Sequence, residues 1–321
     1  MSACALKARN LSKRFWKKKS WFAKKEVIEA VKKLELEIHQ GESVAFLGPN
    51  GAGKSTAIKL LCGILKPTTG QSWVAGHLSG TIEANKKLGL VFGTRSNLWM
   101  FLSVRQGLKM IGEIYGLSSK ESLSRIQRLS ELFEMTQLLD FTPNTLSLGE
   151  RMRSEIVASL LHKPSILLAD EPTIGLDVVG KVRFRTLLKQ WQEEEKGTLL
   201  LTSHDVNDVE ALCGRAVLIN KGVIGYDGSL LGLKGNLANT REIKLTLAKP
   251  ILNGMHESGK LGIQMLEDNH LVKKYQMDTQ TISPVLAINY FMEVYKDNIL
   301  DISVEDINLE SIITQWYTEN E

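Results

Sequence analysis

Gly48-Pro49-Asn50-Gly51-Ala52-Gly53-Lys54-Ser55 fits the pattern G-x-x-x-x-G-K-[ST], and its flanks restrict what the chain can fold into. Ahead of it, Ser43-Val44-Ala45-Phe46-Leu47 is a short apolar run that reads as a buried strand; behind it, Thr56 to Ile64 reads as a helix. A strand that passes through a glycine loop into a helix is a building unit of α/β sheets. Glycines let backbone N–H groups wrap phosphate oxygens, and the helix N-terminus favours negative charge there. Lys54 would then reach the β- and γ-phosphates of a nucleotide, Ser55 would ligate Mg²⁺, and Thr56 would continue the phosphate-facing turn. A glycine turn beside a surface lysine is the bland alternative, and it leaves the strand and helix on either side unexplained.

A second apolar run, Ser165-Ile166-Leu167-Leu168-Ala169, ends in Asp170-Glu171. That places two carboxylates at the C-terminal end of a buried strand, where open α/β sheets bind ligands. Asp170 suits holding Mg²⁺ and Glu171 suits orienting the attacking water, against a bland reading as two solvated carboxylates. A third run, Thr198 to Thr202, leads to Ser203-His204, a histidine placed to sense a γ-phosphate or to serve only the structure. Between the loop and the carboxylates lies Leu146-Ser147-Leu148-Gly149-Glu150. Ser147 precedes a helical pattern with Met152, Ile156, Val157, Leu160 and Leu161 along one face, so it reads as a helix cap. The free N–H groups of such a helix start also bind phosphate, and the two readings are compatible.

Phosphate loop, L-S-x-G-E, Asp-Glu, Gly175-Leu176-Asp177 and His204, in that order, resemble the ATP-binding cassette ATPases over roughly residues 1 to 228. The resemblance implies an α/β P-loop NTPase fold, a nucleotide-binding domain with a mixed sheet core and a helical subdomain. It further implies that two copies sandwich ATP, with Ser147, Leu148, Gly149 and Glu150 of one facing the nucleotide bound to Lys54 of the other, and Asp177 at the seam. Leu148 stands where the family commonly has glycine, Glu150 where it commonly has glutamine. A larger departure follows the expected strand Leu88-Gly89-Leu90-Val91-Phe92, where Gly93-Thr94 replaces a glutamine that touches Mg²⁺ and the attacking water. Thr94 is therefore a further candidate Mg²⁺ ligand, as a hydroxyl can hold the ion or a bridging water, or else a plain loop residue. Leu11-Ser12-Lys13-Arg14-Phe15 is similar to the segment whose last residue stacks on adenine, which makes Phe15 the expected base platform and Trp16 the reserve; packing on the sheet edge is the alternative.

The resemblance is closest to exporter ATPases of the daunorubicin-resistance type, through Phe92 to Trp99 and Leu146 to Arg153. It implies a homodimer of ATPase subunits working with integral membrane permease subunits, and a cytoplasmic protein peripheral on the inner face of the membrane. An import ATPase or a non-transport cassette (translation or repair factor) is the alternative. No stretch near 18 consecutive apolar residues is present, so the chain itself is not expected to span a bilayer. Cys4, Cys62 and Cys213 lack metal-ligand spacing, which fits a reducing compartment.

A net charge of +4 is too small to imply nucleic acid, and no nucleic-acid partner is expected. Its distribution is uneven: residues 1 to 40 hold eleven Lys or Arg and four Asp or Glu, a local +7, so the rest sums to −3. Phe15 to Lys25 interleaves aromatics with lysines, as in a solvated hairpin, a loop facing anionic lipid, or a basic patch for RNA.

Helical stripes follow at Val104, Leu108, Ile111 and Tyr115, then at Ile126, Leu129, Leu132 and Phe133, within a helical subdomain expected over about 97–163. Trp99, Met100 and Phe101 line a permease groove there or belong to the core. Domains are expected at 1–228 and 229–321. The second reads as a small α+β accessory domain, with strands around Ile243-Leu245-Leu247 and Leu300-Ile302-Val304. A helix started by Ser283-Pro284 with Val285, Ile288, Met292 and Tyr295 on its stripe, and a last helix carrying Leu309, Ile312, Ile313, Trp316 and Tyr317, complete it.

Overall fold

The computed structural model describes residues 3–17, 26–93, 96–235, 239–250, 262–306 and 308–319. The chain divides into two compact units, Met1–Leu230 and Leu231–Glu321. In the first, β1 (Cys4–Lys17), β2 (Glu26–His39), β4 (Thr69–Val74) and β5 (His77–Leu78) form an antiparallel sheet in the order β2-β1-β4-β5. A six-stranded sheet runs β10-β9-β3-β8-β7-β6, from β3 (Ser43–Leu47), β6 (Leu88–Phe92), β7 (Ile166–Asp170), β8 (Thr198–Thr202), β9 (Arg215–Asn220) and β10 (Val223–Ser229). All are parallel except β10, which pairs antiparallel with β9.

Burial explains why short apolar runs suffice for the parallel strands. β8 is buried along its whole length and β3 from its second residue on, as strands covered on both faces must be. Helix α1 (Lys54–Leu61) packs against both sheets, and Ile58 and Leu61 share one core with Leu6, Leu34, Phe46, Leu168 and Val217. Each such side chain contributes about 1.5–3 kcal/mol by leaving water. The helix ends three residues earlier than the apolar run suggests, with Cys62 as its cap. The Asn220-Lys221-Gly222 turn joins β9 to β10, an edge strand whose half-exposed residues carry no apolar run.

α2 (Ile82–Asn85) precedes β6, and three longer helices follow: α3 (Val104–Ile114), α4 (Ser119–Leu132) and α5 (Leu148–Leu160). Val104, Leu108, Ile126, Leu129 and Phe133 are buried, as their spacing requires. Ser103, Ser118 and Ser147 each close a capping box, with Gln106, Glu121 and Glu150. α6 (Val178–Glu195) and α7 (Val206–Leu212) connect β7, β8 and β9, while α8 (Leu230–Gly235) begins at the division between the units.

The second unit is an antiparallel sheet β12-β13-β11-β14, from β11 (Thr240–Leu247), β12 (Ile263–Asp268), β13 (Val272–Asp278) and β14 (Ile299–Asp306), with α9 (Pro284–Tyr295) and α10 (Leu309–Glu319). Two sequence expectations need correction, and β12 and β13 are strands for which none was stated. In β13 Lys273 holds a core-facing position beside Tyr275 and Met277 and breaks the apolar alternation; it is fully buried on Asp268. α9 does start at Ser283-Pro284, but it buries Ala287, Phe291 and Tyr295 and leaves Val285 and Met292 exposed. In β14 a register shift opposite Thr246/Leu247 pairs Ile299 with Leu247, so Leu300 is exposed and Ile299 packs on the core instead.

Candidate functional site

The glycine loop leaves β3 and enters α1 under tight constraint. Gly53 has φ 104°, and a Cβ there would stand 2.3 Å from Ala30 O of β2, so only glycine fits. Ala52 O accepts from Gly222 N (2.9 Å), which props the loop on the β9–β10 turn. Lys54 is buried, and its Nζ donates to the Gly48 carbonyl and, at 3.3 Å, to Pro49 O. Burial pushes its pKa down while Glu171 and Asp170 push it back up, so the amine sits in the field of both carboxylates. Pro49, Asn50 and Gly51 are exposed above the loop, and Ser55 and Thr56 form the first turn of α1. Phe15 is half-exposed on β1, paired with Ile28, with Lys13 Nζ 5.4 Å from its ring; Trp16 beside it is more exposed.

At the end of β7 the carboxylates meet β8. Thr202 Oγ1 donates to Asp170 Oδ1 (2.6 Å) and, with Thr202 O, accepts from Glu171 N. Glu171 has the left-handed φ of 53°, uncommon for a side chain with a Cβ. That turn aims its carboxylate at His204, whose backbone N donates to Oε2 (3.3 Å) and whose Nε2 lies 3.2 Å from Oε1. The Nε2 approach is too poorly aligned for a hydrogen bond, leaving Oε1 buried without one. Burial raises the Glu171 pKa, opposed by the charges of His204 and Lys54. A carboxylate with an open oxygen beside a histidine can orient and deprotonate water. The Ser55 hydroxyl and the Asp170 carboxylate are oxygen donors of the kind a hard divalent cation takes. Among the described residues no cluster of three or more His, Cys, Asp or Glu offers a rival metal site.

A second group is assembled elsewhere. Ser147 caps α5: its Oγ donates to Glu150 Oε2 (2.7 Å), and its backbone N donates to the same oxygen (2.9 Å). Ser147, Leu148 and Gly149 line a cavity of about 450 Å³ together with Gly175, Leu176 and Asp177, and no phosphate-loop residue lines it. Leu148 packs on Gly175, where a Cβ would lie 2.8 Å from its Cδ2. Asp177 caps α6 through Gly180 N (2.7 Å), and Val178 and Val179 beyond it are exposed.

Thus Lys54, Asp170, Glu171 and His204 gather at one place, while Ser147, Leu148, Gly149, Glu150 and Asp177 border another. Thr94 lies outside the described residues; Gly93 before it donates to Asp170 O (3.0 Å). Sequence reasoning missed Thr202, which holds Asp170 and Glu171 together, and Glu155 on α5, whose buried carboxylate accepts from Ser96 Oγ and from Asn97 N (2.6 Å). Thr202 ends an apolar run and was readable only as strand; Glu155 interrupts a helix's apolar face, the one signal it leaves.

A glycine loop between β3 and α1, with an acidic strand end beside it, defines a P-loop nucleoside triphosphatase. A family model described as "ABC transporter" matches residues 31–174. The ABC transporter ATP-binding protein NatA of Bacillus subtilis (strain 168) is 35% identical over 212 residues, covering 65% of this chain and 86% of NatA. The linearmycin resistance ATP-binding protein LnrL of the same organism is 30% identical over 316 residues, 96% of each chain. The solved dimeric, post-hydrolysis structure of the ATP-binding cassette MJ0796 bound to ADP and Pi matches with a TM-score of 0.62 at 27% identity, covering 70% of this chain and 98% of that one. The chain belongs to the ABC transporter family and is an ATP-binding, ATP-hydrolysing subunit.

Proposed function

We propose that two copies of this chain close around ATP and drive export through separate membrane permease subunits. The observation that carries this is the division of the site: the capped start of α5 borders a cavity apart from Lys54, Asp170, Glu171 and His204, so each group is half of a site completed by a second copy. In that arrangement the phosphate loop from Gly48 to Thr56 cradles the phosphates, Phe15 stacks on the base, and Ser147 and Gly149 of the partner meet the γ-phosphate. Ser55 and Asp170, with Thr94 as a candidate further ligand, would hold Mg²⁺, which would supply charge neutralisation; Glu171 takes the proton of the attacking water and His204 holds the γ-phosphate.

The proposed nucleotide-binding domain is 1–228, with the helical subdomain at 97–163 and the accessory domain at 229–321. Among the described residues no helix is long and apolar enough to cross a membrane. Phe101, 90% exposed, and Trp99 beside it suit the permease contact, which would hold the protein at the inner membrane face. Similarity to a resistance protein along both units favours export over import. No step uses a nucleic acid. Replacing Glu171 by Gln tests the reading: ATP binding persists, hydrolysis falls at least about 100-fold, and an ATP-bound dimer accumulates. Wild-type turnover by that variant would overturn it.

A further inference from the structure

Asp208, in the first turn of α7, has a fully buried carboxylate that none of the steps above uses. Three donors from three segments converge on it. Thr173 Oγ1 (2.5 Å) and Ser203 Oγ (2.8 Å) both donate to Oδ2, and Arg185 Nη1 of α6 donates to Oδ1 (3.2 Å). Thr173 follows Glu171 by two residues and Ser203 immediately precedes His204. One oxygen therefore fixes the distance between the loop that carries Glu171 and the loop that carries His204. Ser203 Oγ also accepts from Asp205 N (3.0 Å), and Lys181, one turn before Arg185, pairs with Asp205 (2.8 Å). Both loops are thus tied to the N-terminal half of α6, the helix capped by Asp177.

Burying a carboxylate costs several kcal/mol unless it is fully paired, and apolar packing of equal volume commonly serves stability better. What the carboxylate adds is directional: two hydroxyl hydrogen bonds that hold two loops in one register. We propose that Asp208 is a positioning residue that sets the approach of Glu171 and His204 for ATP hydrolysis. This rests on the roles given to those two residues above. Misplacing a reacting group by about 1 Å costs on the order of 100-fold in rate, so small shifts in either loop are enough to matter.

The test uses the full chain and measures nucleotide affinity, kcat, KM and Tm for Asp208→Asn, Thr173→Val, Ser203→Ala and, beside them, Glu171→Gln. Asp208→Asn lowers kcat about 10- to 100-fold and Thr173→Val and Ser203→Ala about 3- to 10-fold, each with nucleotide affinity and KM within about twofold of wild type. A purely structural role gives a lower Tm with unchanged kcat per nucleotide-binding molecule, and that result overturns the proposal. If Asp208→Asn does not fold, the two hydroxyl variants decide alone. Wild-type kcat in these variants beside an inactive Glu171→Gln overturns this proposal only. Wild-type turnover in Glu171→Gln removes the reading of the site and this proposal with it.

Discussion

The hydroxyl of Ser147 has one proton and spends it on Glu150 Oε2. A phosphate docking at the start of α5 must either take that proton or meet the Glu150 carboxylate, whose pKa the Ser147 hydroxyl and backbone N–H hold below the usual carboxylate range. The charge stabilises the free helix start and opposes a second anion there. Replacing Glu150 by Gln keeps an acceptor for the cap and removes the charge. In the Glu171→Gln background it should lower the ATP concentration for half-maximal dimer formation about three- to tenfold, the carboxylate being partly solvent-screened. An unchanged or raised midpoint in light scattering would show that the carboxylate does not oppose phosphate. At this scale the sequence was legible where chemistry is contiguous: the loop from Gly48 to Ser55, the Asp170-Glu171 pair and the Ser147 cap are each local backbone problems. The Thr202–Asp170 and Thr173–Asp208 pairs were not, because each joins residues more than thirty positions apart and no periodicity records the pairing.

At the scale of elements, α5 is fixed at both ends. Its N-terminus is capped by Ser147, and its last carbonyls, Leu160 O and Leu161 O, accept from the buried Arg125 of α4 at 2.8 and 3.2 Å. The first end could be read from the sequence, the second could not. Strands and amphipathic helices were legible wherever one face is uniformly apolar. They were lost where a charge turns inward, as Lys273 does in β13, or where two candidate stripes share one helix, as in α9. Just past α5, His162 stacks on Tyr115 (3.7 Å between rings), its Nε2 bonds Leu88 O (3.2 Å), and its Nδ1 is buried without a partner. Burial pushes its pKa down to about 4. The folded protein therefore resists the protonation that the unfolded chain accepts below about 6.5, so this contribution is whole above pH 6.5 and lost as pH falls toward 4. Between pH 7 and 5 it amounts to about 1–2 kcal/mol. Unfolding free energies from urea titrations at those two pH values should diverge less by that amount in His162→Phe, which keeps the ring stack. Equal losses in both proteins would assign the acid sensitivity elsewhere.

For the whole molecule, the decisive property of a split site is that its halves can be supplied by different copies. Lys54→Ala empties the phosphate half, and Ser147→Arg blocks the helix start while giving up its cap. In a two-fold dimer each variant alone has no intact site. A mixed dimer has one site with both lesions and one with neither, because the good Lys54 of one copy meets the good Ser147 of the other. Equal mixing puts half the dimers in that mixed state, so about a quarter of all sites are intact and turnover recovers toward that fraction of wild type. If both halves acted within one copy, no mixture would recover activity, because every copy would carry a lesion in its own site. Light scattering on the Glu171→Gln chain supplies the companion measurement: with ATP the mass rises from 35.8 kDa toward twice that value, and with ADP it does not. Doubling without recovery on mixing would mean that the copies associate through some other face, and that the cavity between Ser147 and Asp177 is not where the second nucleotide docks.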